Sequence, residues 1–150
     1  MKDVIERLRK TLEIAPARLL ALGEAGSRER PRAQKWSRKE ILGHLIDSAS
    51  NNHQRFVRAQ LASELSFPPY DGDAWVATEG YEGEPWAALV GLWLAYNRHL
   101  LHVMGRVPAD KLGHRCRVSE DEPVALGDHM RDYVAHLEHH LAQILGPGAA

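Results

Sequence analysis

The chain has 150 residues, of which 44% are hydrophobic and 26% are charged. This length and composition are typical of one globular domain spanning 1–150 and are short for two domains. The formal net charge is −1, so no overall field attracts nucleic acid or an anionic membrane. We therefore expect neither nucleic acid nor a membrane as a partner.

Cys116 is the single cysteine of the chain. A lone cysteine excludes an internal disulfide framework and is typical of a reducing compartment. We expect it to pack as a small hydrophobic residue. The N-terminal segment is charged and amphipathic, and no stretch reaches the roughly eighteen apolar residues of a membrane span. These features predict a cytoplasmic protein.

Helical periodicity dominates the first third of the chain. Apolar residues recur at three- and four-residue steps from Val4 onward, which predicts a first helix that Pro16 must end, kink or restart. The basic stretch 23–39 is predicted to be a loop, either a solvated connection or a surface that steers an anionic small molecule. Ser37 and Glu40 have the spacing of a capping box, so a second helix is expected to begin here. The basic residues of the loop are Arg28, Arg30, Arg32, Lys35, Arg38 and Lys39.

Polar residues lie along one edge of the second helix. His44, Asn51 and Arg55 flank its apolar side. Buried polar groups must find partners or lose free energy on folding, so something polar is expected against this edge. A metal site and a water-filled cleft both satisfy the pattern, and Arg55 is also explained by an ion pair with Asp47 or with a carboxylate of another helix.

The stretch 63–84 is rich in proline, glycine and aromatic residues and has no sustained periodicity. Connections of this length are uncommon in compact domains, and they often carry function or pack across the body of the protein. Tyr70, Trp75 and Tyr81 are expected to anchor this crossover to the core.

Two further helices follow the crossover. Pro85 opens a third helix that Gly105 ends. The polar linker after it has an extended piece at 115–118, and apolar periodicity predicts a last helix at 126–145. The residues expected to terminate that helix are Gly146, Pro147 and Gly148. Four amphipathic helices with a long crossover between the second and third predict an all-α four-helix bundle, in which sites are built from side chains on facing helices.

His136 and His140 are four residues apart on the predicted last helix. This spacing places both imidazoles on one face, about 5–6 Å apart at Cβ, which lets two nitrogens reach one ion. A metal site needs a third ligand from elsewhere, and His44 on the second helix is the best candidate. Three neutral imidazoles suit zinc, nickel, iron or copper and leave a coordination position for water or a substrate.

Other interpretations of the histidines are open at this point. Two hydrogen-bonded histidines at the edge of a core would show the same spacing as a metal pair. His129 lies seven residues before His136 on the same side, and it would close the site as a fourth ligand. His99 and His102 lie off the apolar face of the third helix and are expected to face solvent. Weaker candidates for proton transfer or for supporting the ligands are Asp47, Asp128, Asp132 and His129.

Four segments together carry a family resemblance. They are WSRKEILGHLIDSASNNHQRF at 36–56, PPYDGDAWV at 68–76, the helix at 86–104, and YVAHLEHHLAQI at 133–144. These segments resemble the DinB-like (DinB/YfiT-like) superfamily of metal-dependent four-helix bundles, and the resemblance covers nearly the whole chain.

The resemblance implies a metal triad at His44, His136 and His140, the same residues that helical spacing selects. It also implies a divalent metal, commonly zinc, nickel or iron, and frequent homodimers. One departure is visible. Family members often begin the last helix with a threonine or serine cap, whereas Ala125 stands here and Gly127 lies in the first turn, which weakens the helix start and not the triad.

The resemblance leaves the reaction open. The family includes thiol transferases and isomerases that use bacillithiol or mycothiol, and hydrolases. A His₃ metal with an open position can activate water for hydrolysis, or it can hold a low-molecular-weight thiol as thiolate for S-transfer. The basic loop favours S-transfer, because such thiols can carry anionic groups. The alternative from another class is a non-catalytic, metal-stabilised bundle that acts as a dimeric binding module.

Overall fold

Four long helices form the body of the fold, with two short helices in the connections. The computed structural model describes residues 1–119 and 122–146. The helices in chain order are α1 (Lys2–Ala21), α2 (Gly23–Ser27), α3 (Arg38–Arg58), α4 (Gly72–Glu79), α5 (Trp86–Gly105) and α6 (Leu126–Leu145). The expected all-α four-helix bundle is confirmed, and its long crossover lies between the second and third long helices, α3 and α5.

The apolar faces of the four long helices meet in one core. Leu8, Leu42, Trp93 and Leu137 each come from a different long helix, and each is 0% exposed. Burial of a leucine-sized side chain contributes about 1.5–3 kcal/mol relative to exposure. Packing of these faces therefore stabilises the helices more than intrinsic propensity does, and it places α3 beside both α5 and α6.

α1 runs through Pro16 and ends at Ala21. A proline removes one backbone N–H from the helical hydrogen-bond ladder and usually bends or ends a helix. Here Leu12, Ala15 and Leu19 on both sides of the proline are buried. Their packing keeps the chain helical, so the first helix neither ends nor restarts at Pro16.

The basic stretch 23–39 is only partly the loop that its composition predicts. Gly23–Ser27 forms α2, and Lys39 is fully buried. The Lys39 ammonium donates to the Glu24 carboxylate and to the backbone carbonyl of Glu84, 2.7 Å away. A buried ammonium requires such partners because desolvation of an unpaired charge is costly. The expectation of a solvated loop is therefore wrong for α2 and for Lys39.

The predicted capping box at the start of α3 is confirmed. The backbone N–H of Glu40 donates to the Ser37 hydroxyl at 3.1 Å, and the Ser37 N–H donates to the Glu40 carboxylate at 2.7 Å. Two otherwise unpaired N–H groups are thus satisfied. The box sets where α3 begins and hence where His44 lies along it.

Tyr81 attaches the crossover to α3. Its side chain is 4% exposed, and its hydroxyl donates to Asp47 Oδ1 at 2.6 Å. Gly43 makes room for the ring, because a Cβ at that position would lie 2.0 Å from Tyr81 Cδ2. The expected anchoring role is confirmed for Tyr81. Trp75 is 37% exposed and packs on Tyr70, with ring centroids 5.1 Å apart.

A small sheet joins the crossover to the linker before α6. β1 (Glu64–Phe67) pairs parallel with β2 (Arg115–Val118), and β2 pairs antiparallel with β3 (Val124–Ala125). The extended piece predicted at 115–118 is confirmed as β2. Its two partner strands were not predicted, because such short strands show no detectable period. Cys116 in β2 is 0% exposed, as expected of a small hydrophobic residue.

Backbone carbonyls replace the missing side-chain cap at the start of α6. Ala125 makes no capping hydrogen bond. Instead, the N–H of Leu126 donates to the His114 carbonyl at 2.8 Å, and the N–H of Gly127 donates to the Leu112 carbonyl at 3.0 Å. These bonds satisfy two free N–H groups of the first turn, which compensates for the departure from the family pattern.

α6 ends at Leu145 as predicted. Gly146 follows with a φ of 84°, in the left-handed region that favours glycine. The other expected terminators, Pro147 and Gly148, lie outside the described residues. None of the described helices combines the length and the apolar character that a membrane crossing requires.

Candidate metal centre

α3 and α6 bring three histidines together. His44 lies in the second turn of α3, and His136 and His140 lie in successive turns of α6. Each offers one imidazole nitrogen, and these three atoms lie within 4.8 Å of one another. The structure thus brings together the three residues that the sequence predicts as metal ligands.

The three rings face one another edge to face at short range. Their centroids are 5.1 Å apart for His44 and His136, 4.9 Å for His44 and His140, and 4.5 Å for His136 and His140. Nε2 of His44 lies 3.2 Å from Nε2 of His136. Nitrogens bound to one tetrahedral ion lie about 3.3–3.4 Å apart, so these two atoms already have the separation that a shared ion requires.

Burial keeps the three imidazoles neutral near pH 7. His44 is 8% exposed, and burial, followed by the charge of His140, lowers its pKa to about 4. Burial also lowers the pKa of His136 to about 4, with smaller contributions from the neighbouring histidines. The pKa of His140 is lowered mainly by burial, although its hydrogen bond to Gln143 acts in the opposite direction. A neutral imidazole has a free lone pair, which is the form that binds a metal.

The protein does not satisfy all the buried nitrogens of this cluster. Nδ1 of His44 and Nδ1 of His136 have no hydrogen-bond partner in the described part of the chain. One proton at most can lie between the two facing Nε2 atoms, whereas a cation accepts lone pairs from both of these rings and from His140. The convergent neutral nitrogens therefore fit a divalent metal ion.

Gln143 orients His140 and was not predicted from the sequence. Its Oε1 lies 3.0 Å from His140 Nδ1, and its Nε2 lies 2.9 Å from His139 Nε2. An amide donates only through nitrogen, so this network assigns the His140 proton to Nδ1 and leaves Nε2 as the atom that can bind a metal. A polar residue three positions after a predicted ligand is a signal that could have identified it.

A cavity of about 810 Å³ lies beside His140. Trp36 lines it and also packs on His44, with ring centroids 4.8 Å apart. The sequence did not single out Trp36 as a site residue. The basic stretch that precedes α3 forms one wall of the cavity through Arg30, Arg32 and Lys35. Further lining residues are Pro31, Ile41, Asp73, Ala142 and Gln143.

The other predicted candidates are not among the three converging residues. Nε2 of His129 is 3.2 Å from the Cys116 carbonyl, and His129 is not among the converging ligand atoms. Arg55 contacts Asn52 Oδ1 at 3.4 Å, and its expected ion pair with Asp47 is absent from the described residues. None of the described candidates for proton transfer lines the cavity: Asp47, Asp128, Asp132 and His129.

Comparisons with known proteins agree with the family resemblance. The chain matches the sequence profile of the DinB superfamily over residues 7–144. Its structure is similar to that of YfiT from Bacillus subtilis, described as a probable metal-dependent hydrolase with an unusual four-helix bundle topology. The TM-score is 0.82 and the identity 20%, over 96% of this chain and 85% of that one.

A second similar structure is the mycothiol-dependent maleylpyruvate isomerase. The TM-score is 0.78 and the identity 16%, over 97% of this chain but only 60% of the isomerase. At such identities both likenesses show the fold alone. No protein of curated function matches the chain significantly. Because the profile match covers nearly the whole length, the chain belongs to the DinB superfamily.

Proposed function

We propose that this protein is a metal-dependent enzyme that acts on a small molecule held in the cavity beside His140. The observation that carries the proposal is the convergence of His44, His136 and His140 within 4.8 Å. Burial keeps all three neutral. Three protein ligands leave a coordination position open, which is the arrangement of catalytic rather than structural metal sites.

We propose zinc, nickel or iron as the ion. Neutral nitrogen donors suit divalent metals of intermediate softness, whereas magnesium and calcium prefer oxygen ligands. Among the described residues, the converging group contains no carboxylate, which supports the same choice. When bound, such an ion supplies Lewis acidity, which activates water for hydrolysis or a small thiol for transfer.

The chain's own residues orient the metal-binding nitrogens and provide an apolar surface for the substrate. His44 and His136 hold their Nε2 atoms 3.2 Å apart, and Gln143 keeps the His140 proton on Nδ1. Trp36 packs against His44 and lines the cavity. An apolar part of a substrate can therefore pack next to the triad.

Hydrolysis is the first candidate reaction. It needs only water and an open coordination position, and the similar YfiT structure is described as a probable metal-dependent hydrolase. Thiol S-transfer is the second candidate. The basic wall of the cavity favours it, because low-molecular-weight thiols can carry anionic groups. The similar isomerase is described as mycothiol-dependent.

We also propose a homodimer and a cytoplasmic location. The family resemblance supports the dimer, and the lone, buried Cys116 suits a reducing compartment. Light scattering coupled to size-exclusion chromatography measures the oligomeric state, and a monomeric mass would exclude the dimer. The alternative function is a metal-stabilised binding module without catalytic activity.

Metal analysis of the purified protein tests the site. We expect about one equivalent of transition metal in the wild type and less than about a tenth in His140→Ala, with the helical circular dichroism unchanged. His102→Ala removes an exposed histidine of α5 and is the matched control, which should retain the metal. Full metal content in His140→Ala would exclude His140 as an essential ligand.

Two activity assays separate the candidate functions. Cleavage of p-nitrophenyl esters tests hydrolysis, and conjugation of a small thiol to monochlorobimane tests S-transfer. We expect metal-dependent ester cleavage that His140→Ala abolishes. Conjugation without ester cleavage would identify a thiol transferase. A metal-loaded protein that is inactive in both assays would support the binding module.

A further inference from the structure

The cavity beside His140 combines a cationic wall with an apolar one. Arg32 and Lys35 belong to the cationic wall, and Trp36 and Ile41 belong to the apolar wall. An inorganic anion would use only the first of these walls. Their combination suits an organic anion whose charged end and apolar body are separate.

Two of the cations in this wall are available to a ligand. Arg30 pairs with Glu40 at 3.0 Å, so its charge is already compensated. Arg32 and Lys35 form no ion pair within the described residues and are exposed. Asp73 is the acidic residue that lines the described cavity. Two available cations against one carboxylate leave the wall with a net positive charge.

The two available cations lie at the ends of one turn. The N–H of Lys35 donates to the Arg32 carbonyl at 3.2 Å, and Gln34 between them has a φ of 59°. The ends of such a turn are less than about 7 Å apart. The Arg30 guanidinium donates to the Lys35 carbonyl and also pairs with Glu40, which ties the turn to the start of α3. Both cations therefore extend from neighbouring points on a supported turn.

We propose that Arg32 and Lys35 anchor a carboxylate of the substrate while the apolar body of the same molecule packs on Trp36. The location of the reacting bond, at the His140 end of the cavity, rests on the proposed function. The anchor does not, because it needs no metal. The substrate class is thus an apolar, preferably aromatic, carboxylate.

Calorimetric titration with two matched probes tests the anchor. 1-Naphthoate and 1-naphthalenemethanol share one ring system and differ in the charged group. The full chain is titrated both metal-loaded and after treatment with EDTA, because a carboxylate can also bind a metal directly. We expect naphthoate to bind about tenfold more tightly than naphthalenemethanol in both states.

Substitutions test whether the charges of Arg32 and Lys35 hold the carboxylate of naphthoate. Arg32→Ala/Lys35→Ala should weaken naphthoate binding about tenfold and change naphthalenemethanol binding less than about twofold. Lys10→Ala/Arg98→Ala removes the same net charge at exposed positions outside the cavity, and should change naphthoate binding less than about twofold. Asp73→Asn removes the carboxylate of the cavity and should tighten naphthoate binding about twofold.

Several outcomes would overturn the anchor. Equal losses in the two double variants would show a general charge effect only. Equal affinities of the two probes, or no binding of naphthoate to the wild type, would also exclude it. Loss of naphthoate binding after EDTA treatment would place the carboxylate on the metal. A protein that binds no metal but keeps the full naphthoate pattern would instead contradict the proposed function and leave the anchor intact.

Discussion

The described part of the chain has two clusters of histidines that share one ring separation and differ in their surroundings. Ring centroids are 5.1 Å apart for His44 and His136, and also for His53 on α3 and His99 on α5. His102 completes this second group, which we call the surface cluster. His99 and His102 are exposed, as predicted. Ring proximity alone therefore does not distinguish a metal site from a group of surface histidines.

The two clusters differ in how their nitrogens are satisfied. In the surface cluster, Nδ1 of His53 contacts the Tyr96 hydroxyl at 3.3 Å, and water has access to the exposed rings of the two other histidines. In the triad, three ligand atoms converge, and Nδ1 of both His44 and His136 is buried without a partner in the described chain. Convergence of buried ligand nitrogens is thus a better indicator of a metal centre than the number of histidines.

Loss of a triad ligand should have the largest effect and separate the clusters most clearly. His136→Ala should weaken Zn²⁺ binding by more than about 100-fold, because two imidazoles provide too few ligands. His99→Ala in the surface cluster should change the affinity less than about twofold. Calorimetric titration with Zn²⁺ measures both variants. Equal losses would remove the distinction between the clusters.

The turn of α3 that carries His44 should tolerate change less well than the exposed face of α5. A Cβ at Gly43 would lie 2.0 Å from Tyr81 Cδ2, so the ring must move and its bond to Asp47 is strained or lost. We expect Gly43→Ala to lower the free energy of unfolding by about 3 kcal/mol in urea denaturation.

Gly91→Ala on α5 is the matched control for this substitution. Its added Cβ would meet no atom within 4 Å, so the variant should be neutral or up to about 1 kcal/mol more stable through helix propensity. If Gly43→Ala proved as stable as Gly91→Ala, this result would contradict the close packing of α3 against Tyr81.

In each cluster a polar side chain contacts the Nδ1 atom of one histidine. Removing that side chain in each cluster compares how much it contributes to Zn²⁺ binding. Gln143→Leu removes the acceptor for His140 and should weaken Zn²⁺ binding about 10- to 100-fold. Tyr96→Phe removes the hydroxyl beside His53 and should leave Zn²⁺ binding unchanged. The same calorimetric titration applies, and wild-type affinity in Gln143→Leu would contradict the orienting role.

Acid should destabilise the metal-free protein through the triad, as the smallest of these effects. The pKa values of His44 and His136 are lowered to about 4, from 6.5 for a free imidazole. Between these pH values the unfolded chain binds more protons than the folded chain, so stability falls as the pH drops from about 6.5 to about 4. Each residue should contribute about 1 kcal/mol between pH 7 and pH 5.5.

Urea denaturation of EDTA-treated protein at the two pH values measures this loss. His136→Gln should reduce the difference between them, and His102→Gln, which changes the surface cluster, should not. An unchanged difference in His136→Gln would show that this imidazole is not kept neutral by burial.

Features that involve neighbours along one helix were predictable. The capping box of Ser37 and Glu40, and the shared face of His136 and His140, depend on separations of three and four residues, which helix geometry relates directly. His44 was predicted as the third member from its place on the polar edge of the second helix, and the family resemblance implied the same residue. Its distance to His136, 3.2 Å between Nε2 atoms, follows from how α3 packs on α6.

Features that involve residues outside the regular helices were missed or only partly foreseen. Trp36 precedes its helix and has no periodic partner, yet it packs on His44. The composition of the basic stretch is compatible with both a solvated connection and a surface for anions, and only the structure shows Arg32 and Lys35 in the cavity wall. Strands β1 and β3 were missed because a strand is stabilised by partners far away in sequence.

The amino-acid sequence by itself determined the long helices, the start of α3 and the paired histidines of α6, because these follow from apolar periodicity and local hydrogen bonds. The tertiary structure decided that His44 meets this pair and that a cationic turn faces the same cavity as His140. Both depend on packing between segments about a hundred residues apart, and residue type alone does not encode such distances. The buried triad and the surface cluster contain the same side chain, and only their surroundings separate a candidate metal centre from exposed histidines.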